Sequence, residues 1–164
     1  MNDFDDLLAA NKAYAADFSD GYFDGIAQAG VCIVTCMDSR IEPLGMVGLR
    51  LGDAKILRSP GGRVTTSVLN GCVLSAQLLQ VNRIMVIPHT RCAMASGTDE
   101  DLRRVISAKT GTDTSWISFG ASPDQASRLR ADVDMISNHP LIKGHAEVGG
   151  FIYDVDTGLL EQIL

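Results

Sequence analysis

The chain has 164 residues, enough to bury a core without disulfide staples, and the length predicts one domain over 1–164. Hydrophobic residues make up 46% and charged residues 21%, a globular balance. A net charge of −6 with no Lys/Arg cluster excludes a general affinity for nucleic acid or anionic membrane.

The acidic start, MNDFDDLLAANKAYAADF, lacks the basic and apolar regions of a signal peptide. No apolar run reaches the ~18 residues of a membrane span. The expected location is therefore the cytoplasm. In such a chain the four cysteines (Cys32, Cys36, Cys72 and Cys92) fit metal ligation or plain burial better than two disulfides.

Residues 3–17 space Phe4, Leu7, Leu8 and Tyr14 as an amphipathic helix would. The Gly- and Asp-rich stretch 19–30 reads as a loop. VCIVTCM (31–37) is a strand, apolar throughout and so covered on both faces. Residues 42–53 suggest a short helix and a turn, and AKILRSP (54–60) a second strand. GGRVTT (61–66) is a Gly-rich turn in which Thr65 or Thr66 can cap the helix of 67–80.

RIMVIPH (83–89) is a third strand. A helix over 99–111 ends at Gly111, and a longer one over 122–140 has Pro123 near its start and Pro140 closing it. The end of the chain, 147–164, reads as two strands around the turn Asp156-Thr157-Gly158. Strands alternating with helices imply an α/β fold with a mainly parallel sheet flanked by helices. Ligands in such sheets bind outside the carboxyl ends of the strands.

Two strands end on chemistry. The first finishes in Cys36, Met37, Asp38, Ser39, Arg40, and the third in His89, Thr90, Arg91, Cys92. Catalytic zinc takes thiolate and imidazole ligands and keeps a position open, so Cys36, His89 and Cys92 are a candidate ligand set. A lone cysteine at a strand end is more often a small buried hydrophobe. The H-x-x-C spacing in a parallel sheet favours the metal.

Asp38 and Arg40, at i and i+2, project to one side of an extended chain, where the guanidinium can grip the carboxylate twice. In isolation that pair reads as well as a salt bridge at the sheet edge. Beside a metal-binding thiol, the carboxylate can take a hydrogen bond from metal-bound water or itself ligate the metal. Gly61 and Gly62 either bring backbone up to the ion and its substrate or only shape a turn. His139 suits a capping role, His145 a surface position or a proton carrier, and Cys32 and Cys72 the core.

C-x-D-x-R (CMDSR) followed by H-x-x-C (HTRC) resembles the β-class carbonic anhydrases. The resemblance covers most of the chain, including RSPGG (58–62), the helix after it and NHPLI (138–142). It implies Zn²⁺ on Cys36, His89 and Cys92, with Asp38 as a fourth ligand only in a closed state. It makes Asp38 and Arg40 the catalytic pair and the reaction the hydration of CO₂ to bicarbonate by zinc-hydroxide attack. It further implies a homodimer or higher homo-oligomer in which the helical arm, residues 1–18, lies on the partner.

The compact members of this family include hydrolases of CS₂ and COS, which is the alternative activity. A zinc protein without catalysis is a third reading, and the intact Asp38–Arg40 pair argues against it. The chain departs from the family pattern at Arg91, where an acid is usual, at Ala93, where Gly is usual, and at Ser59-Pro60, where Asn-Ala is usual. Arg91 is expected to set a base beside the metal, and Pro60 to remove an amide donor.

Overall fold

The apolar run at 31–36 becomes the central strand, β1 (Val31–Cys36), with all six residues buried. β-Branched side chains favour extended backbone, and a run apolar on both sides needs cover on both faces. β2 (Ala54–Ser59) and β3 (Arg83–Ile87) pair with β1 on either side, both parallel, setting Val34 beside Leu57 and Val86. β4 (Glu147–Tyr153) runs parallel to β3, and β5 (Leu160–Gln162) returns antiparallel to β4 across the expected turn. The strand order is β2-β1-β3-β4-β5. The computed structural model describes residues 3–19, 21 and 24–164.

The helices start and stop for local reasons. α1 spans Asp5–Ala16. α2 (Thr66–Leu78) begins where the Thr65 side chain accepts the Val68 amide, the cap expected there. α3 (Asp99–Thr110) opens on a capping box between Thr98 and Asp101 and ends at Gly111, whose φ of 70° suits glycine. α4 (Gln125–Ser137) is capped by Asp124, which accepts the Ser127 amide. His139 shapes the turn after α4: its Nδ1 accepts the Leu141 amide at 3.2 Å.

α2 and α4 share one face of the sheet. There Val68 and Cys72 of α2, with Leu129, Val133 and Ile136 of α4, pack on Cys32, Val34, Ile84 and Val86. The opposite face presents Val31, Ile33 and Ile87, covered by Met46, Val47 and Leu49 and edged by half-buried Ile56, Met85 and Phe151. The β1-to-β2 connection thus crosses one face and the β2-to-β3 connection the other, as right-handed crossovers in opposite directions require. The connections that follow β1 and precede β3 lie on opposite faces, so a crevice opens between the carboxyl ends of these two strands.

Cys32 and Cys72 lie in the core as expected, fully buried, and all four cysteines are free thiols. α1 has no buried residue, and its Phe4, Leu7, Leu8 and Tyr14 neighbours in sequence stay exposed. The apolar side of this helix has no place in its own chain's core. No helix among the described residues is long and apolar enough to cross a membrane.

One charged pair is built into the helical face. Arg63 Nε donates to Asp132 Oδ2 at 2.6 Å and its Nη2 to Oδ1 at 2.9 Å, while Asp132 is 2% exposed. The Arg63 side chain still reaches solvent at 20%. The two partners are therefore unequal. Arg63→Met strands a carboxylate inside the protein and should cost about 3–5 kcal/mol in denaturant unfolding. Arg63→Met with Asp132→Leu removes both charges and should recover most of that loss.

Candidate metal centre

Cys36 is the last residue of β1, and Met37 makes the final ladder bond, donating its amide to the Ser59 carbonyl at 3.1 Å. His89 follows β3 by two residues and bridges in parallel fashion to Tyr153, which extends the sheet under it. Cys92 stands at the start of a short 3₁₀ turn, Ala93–Ala95. Sheet register decides their meeting, because β1 and β3 are adjacent and point the same way. One donor atom from each of Cys36, His89 and Cys92 lies within 4.8 Å of the others, and all three residues are buried. The structure thus brings together the whole expected ligand set.

The imidazole reveals what the cluster needs. His89 Nδ1 lies 2.8 Å from the Thr90 carbonyl oxygen, which can only accept, so Nδ1 carries the proton. Nε2 is then left with a lone pair, buried and without a hydrogen-bond partner. Facing it at 3.7 Å is Asp38 Oδ2, another lone-pair bearer. Two sulfurs complete the surroundings. Such a convergence of buried donors costs several kcal/mol unless a cation sits among them. Two thiols and one imidazole suit a soft-to-borderline divalent ion in tetrahedral geometry.

Charge at the sulfurs is unevenly shared. The Cys92 thiol hydrogen-bonds Cys36 and, against burial and with help from the Asp38 and Gly61 amides, lowers the Cys36 pKa to about 5. The same hydrogen bond, with burial, pushes the Cys92 thiol up. Without a metal the pair holds one proton between its two sulfurs.

Asp38 and Arg40 do come together, by a different route from the expected extended chain. A turn closes from the Asp38 carbonyl to the Ile41 amide at 3.2 Å. Asp38 Oδ1 accepts both the Arg40 amide and Arg40 Nε at 2.9 Å, and Oδ2 accepts Nη2 at 2.8 Å. The ladder ends at Met37, so the i, i+2 alternation of a strand no longer operates at Asp38. Arg40's side-chain hydrogen bonds hold the Asp38 carboxyl far below the usual carboxylate range. The carboxylate stays charged, and one oxygen faces the cluster.

Gly61 and Gly62 serve the cluster through backbone. The Gly61 amide donates to Cys36 Sγ at 3.2 Å, the donor role that Pro60 cannot fill. Gly62, at φ 68°, leaves no space for a side chain: a Cβ would lie 3.2 Å from the Cys36 nitrogen and 3.3 Å from the Ile87 oxygen.

Arg91 does not set a base beside the metal position. Its side chain is exposed and ion-paired with Asp156, while its carbonyl accepts Arg40 Nη2 at 3.3 Å. Ala93 opens its 3₁₀ turn and has no left-handed backbone, so its methyl is accommodated.

His145 precedes β4 at the amino end of the sheet, away from the cluster. The Thr90 carbonyl on His89, and Gln125 Nε2 donating to the His89 carbonyl at 3.0 Å, carry no sequence signal, since one is backbone and the other lies on a distant helix.

The cluster opens to a cavity of about 420 Å³. Asp38 and Arg40 stand on one side of it, and Met37, Pro60, Ala93 and Met94 supply apolar wall.

Residues 31–160 match the carbonic anhydrase family. The chain is 34% identical over 159 residues to β-carbonic anhydrase 1 of Mycobacterium tuberculosis, covering 97% of this chain and 96% of that one. It is also 29% identical over 155 residues to the carbon disulfide hydrolase of Saccharolobus solfataricus, covering 79% of this chain and 75% of that one. The crystal structure of the carbonic anhydrase from Streptococcus mutans superposes with a TM-score of 0.90 at 35% identity, over 100% of this chain and 99% of that one. With the cluster at the crevice between β1 and β3 and agreement along nearly the whole sequence, the chain belongs to the β-class carbonic anhydrases.

Proposed function

We propose that Cys36 Sγ, His89 Nε2 and Cys92 Sγ hold one zinc ion and that the chain hydrates CO₂ reversibly to bicarbonate and a proton. The observation that carries this is the bare Nε2 of His89, buried between two sulfurs and facing a carboxylate held by arginine. Bound there, zinc supplies a Lewis acid that lowers the pKa of a coordinated water toward neutrality.

The chain's own residues do the remaining work. Two sulfurs and a neutral imidazole match the charge of the ion, and the Thr90 carbonyl fixes the imidazole tautomer. Asp38 presents Oδ2 as a hydrogen-bond acceptor beside His89 and orients the attacking water's O–H. Its lowered pKa makes it an acceptor that does not retain the proton, which passes on to solvent. Arg40 occupies both carboxylate oxygens and so keeps Asp38 off the metal. If that grip were lost, Asp38 would be free to serve as a fourth ligand. The apolar side of the mouth, from Met37, Pro60 and Met94, suits an uncharged, nonpolar substrate.

The same wall would accept CS₂ or COS, and a relative that is a carbon disulfide hydrolase keeps that alternative in play at lower identity and coverage. A homodimer completes the reading. The exposed apolar side of α1 seeks cover, and the half-buried Ile56, Met85 and Phe151 leave part of the sheet face open to a second copy. Four free cysteines agree with a reducing cytoplasm.

Stopped-flow CO₂ hydration by zinc-loaded protein, with COS and CS₂ beside it, tests the activity; turnover of the sulfur substrates alone would overturn the reading. Metal analysis should find one zinc per chain, and Cys92→Ala should lose it; undiminished zinc in that variant refutes the ligand assignment. Arg40→Ala and Asp38→Ala should keep zinc yet lose at least about a hundredfold in kcat/KM. Because each side chain acts through the other, the double variant should be little worse than either single one. Deletion of residues 1–18 should give monomer or insoluble protein in sedimentation analysis, and an unchanged dimer would rule out the arm as interface.

A further inference from the structure

The turn that carries the Gly61 amide is held from outside itself. Ser59 Oγ donates to the Arg63 carbonyl at 2.7 Å, which closes residues 59–63 into a compact unit. Within it Gly61 and Gly62 both take left-handed backbone, at φ 71° and 68°. The Met37 amide on the Ser59 carbonyl ties the unit to β1 at its first residue. Arg63 fixes its other end, through its fork on Asp132 in the middle of α4. A bidentate contact fixes orientation as well as distance.

α4 reaches the cluster a second time. Gln125 lies seven residues before Asp132, on the same side of the helix, and donates to the His89 carbonyl. One helix therefore holds both the His89 carbonyl and the Arg63 side chain at the end of the turn that meets Cys36. Neither Arg63 nor Asp132 lines the open mouth of the cavity; Arg63 instead lines a smaller cavity that reaches Cys92 from the α4 side.

We propose that Arg63 and Asp132 are positioning residues for the metal centre: their ion pair holds the Pro60–Gly62 turn so that the Gly61 amide stays on Cys36 Sγ. This rests on the zinc reading above. An N–H donor on a thiolate draws electron density from sulfur. The metal then receives less donation from Cys36 and remains a stronger Lewis acid than two unmodified thiolates would leave it. The hydrogen bond also aims the sulfur lone pair that is left for the ion.

The test uses the full-length protein loaded with Co²⁺ in place of zinc, and zinc affinity measured by chelator competition. Wild type should show thiolate-to-cobalt charge-transfer absorption in the near ultraviolet. Asp132→Asn and Arg63→Lys, which keep size or charge but lose the fork, should shift that absorption to lower energy. They should also weaken zinc binding by about 10–100-fold, the usual effect of losing a partner that orients a ligand. Folded variants with wild-type absorption and affinity, and only a lowered unfolding midpoint, would overturn the proposal and leave the pair a stability element.

A measurement on unaltered protein stands independently of the variants. Loaded with ¹¹³Cd²⁺, wild type should show scalar coupling between the Gly61 amide proton and the metal through Cys36 Sγ, and its absence removes the hydrogen bond on which the proposal stands. Wild type without charge-transfer absorption would instead overturn the zinc reading itself.

Discussion

Gly62 is wedged where the ends of β1 and β3 part. A Cβ at this position would lie 3.3 Å from the Thr35 carbonyl carbon, 3.2 Å from the Cys36 nitrogen and 3.3 Å from the Ile87 oxygen, and the backbone is left-handed. Only glycine meets both demands. Because it fits, the turn after β2 can enter the crevice and lay the Gly61 amide against Cys36 Sγ. The two strand ends are themselves tied, Thr35 Oγ1 donating to the Ile87 carbonyl at 2.7 Å. The site is thus assembled from three strand ends brought together by close backbone contact.

Electrostatics explain why so many acceptors converge. A thiolate, a thiol and an imidazole lone pair are buried beside a carboxylate at the cavity mouth, and among the described residues Arg40 is the cation that grips that carboxylate. Its two contacts hold Asp38 charged but sideways to the cluster. In the zinc reading proposed above, a divalent ion would supply the missing positive charge, and the carboxylate would stand as an acceptor at its edge.

The departures from the family pattern are absorbed in distinct ways. Arg91 sends its guanidinium outward to Asp156 and contributes only its carbonyl, which steadies Arg40. The left-handed φ of 55° at Arg91 costs on the order of 1 kcal/mol for a residue with a Cβ. Pro60 lacks an amide, and the next residue supplies the one that Cys36 receives. Ala93 keeps ordinary backbone and lines the cavity. Donor set and carboxylate–guanidinium pair are therefore unaltered by all three.

Much of the protein was legible in the residues alone, where a local rule operates. The all-apolar, β-branched run at 31–36 could only be a buried strand, Thr65 and Gly111 marked helix ends by hydrogen bonding and by φ, and two motifs at strand ends named the donor set. Other features depend on residues far apart in sequence. The bidentate grip on Asp38 needed a turn that begins where the sheet ladder stops, and extended-chain periodicity does not describe a turn. Arg91 looked like a base at the metal until Asp156, 65 residues on, drew it away. The free Nε2 of His89 follows from a neighbour's carbonyl, and the hold of Arg63 on Asp132 spans 69 residues. Side-chain identity determined which atoms could bind a metal. Only the packing of β1 against β3 and of α4 beneath them decided where those atoms point, because orientation is set by contacts that no local pattern records.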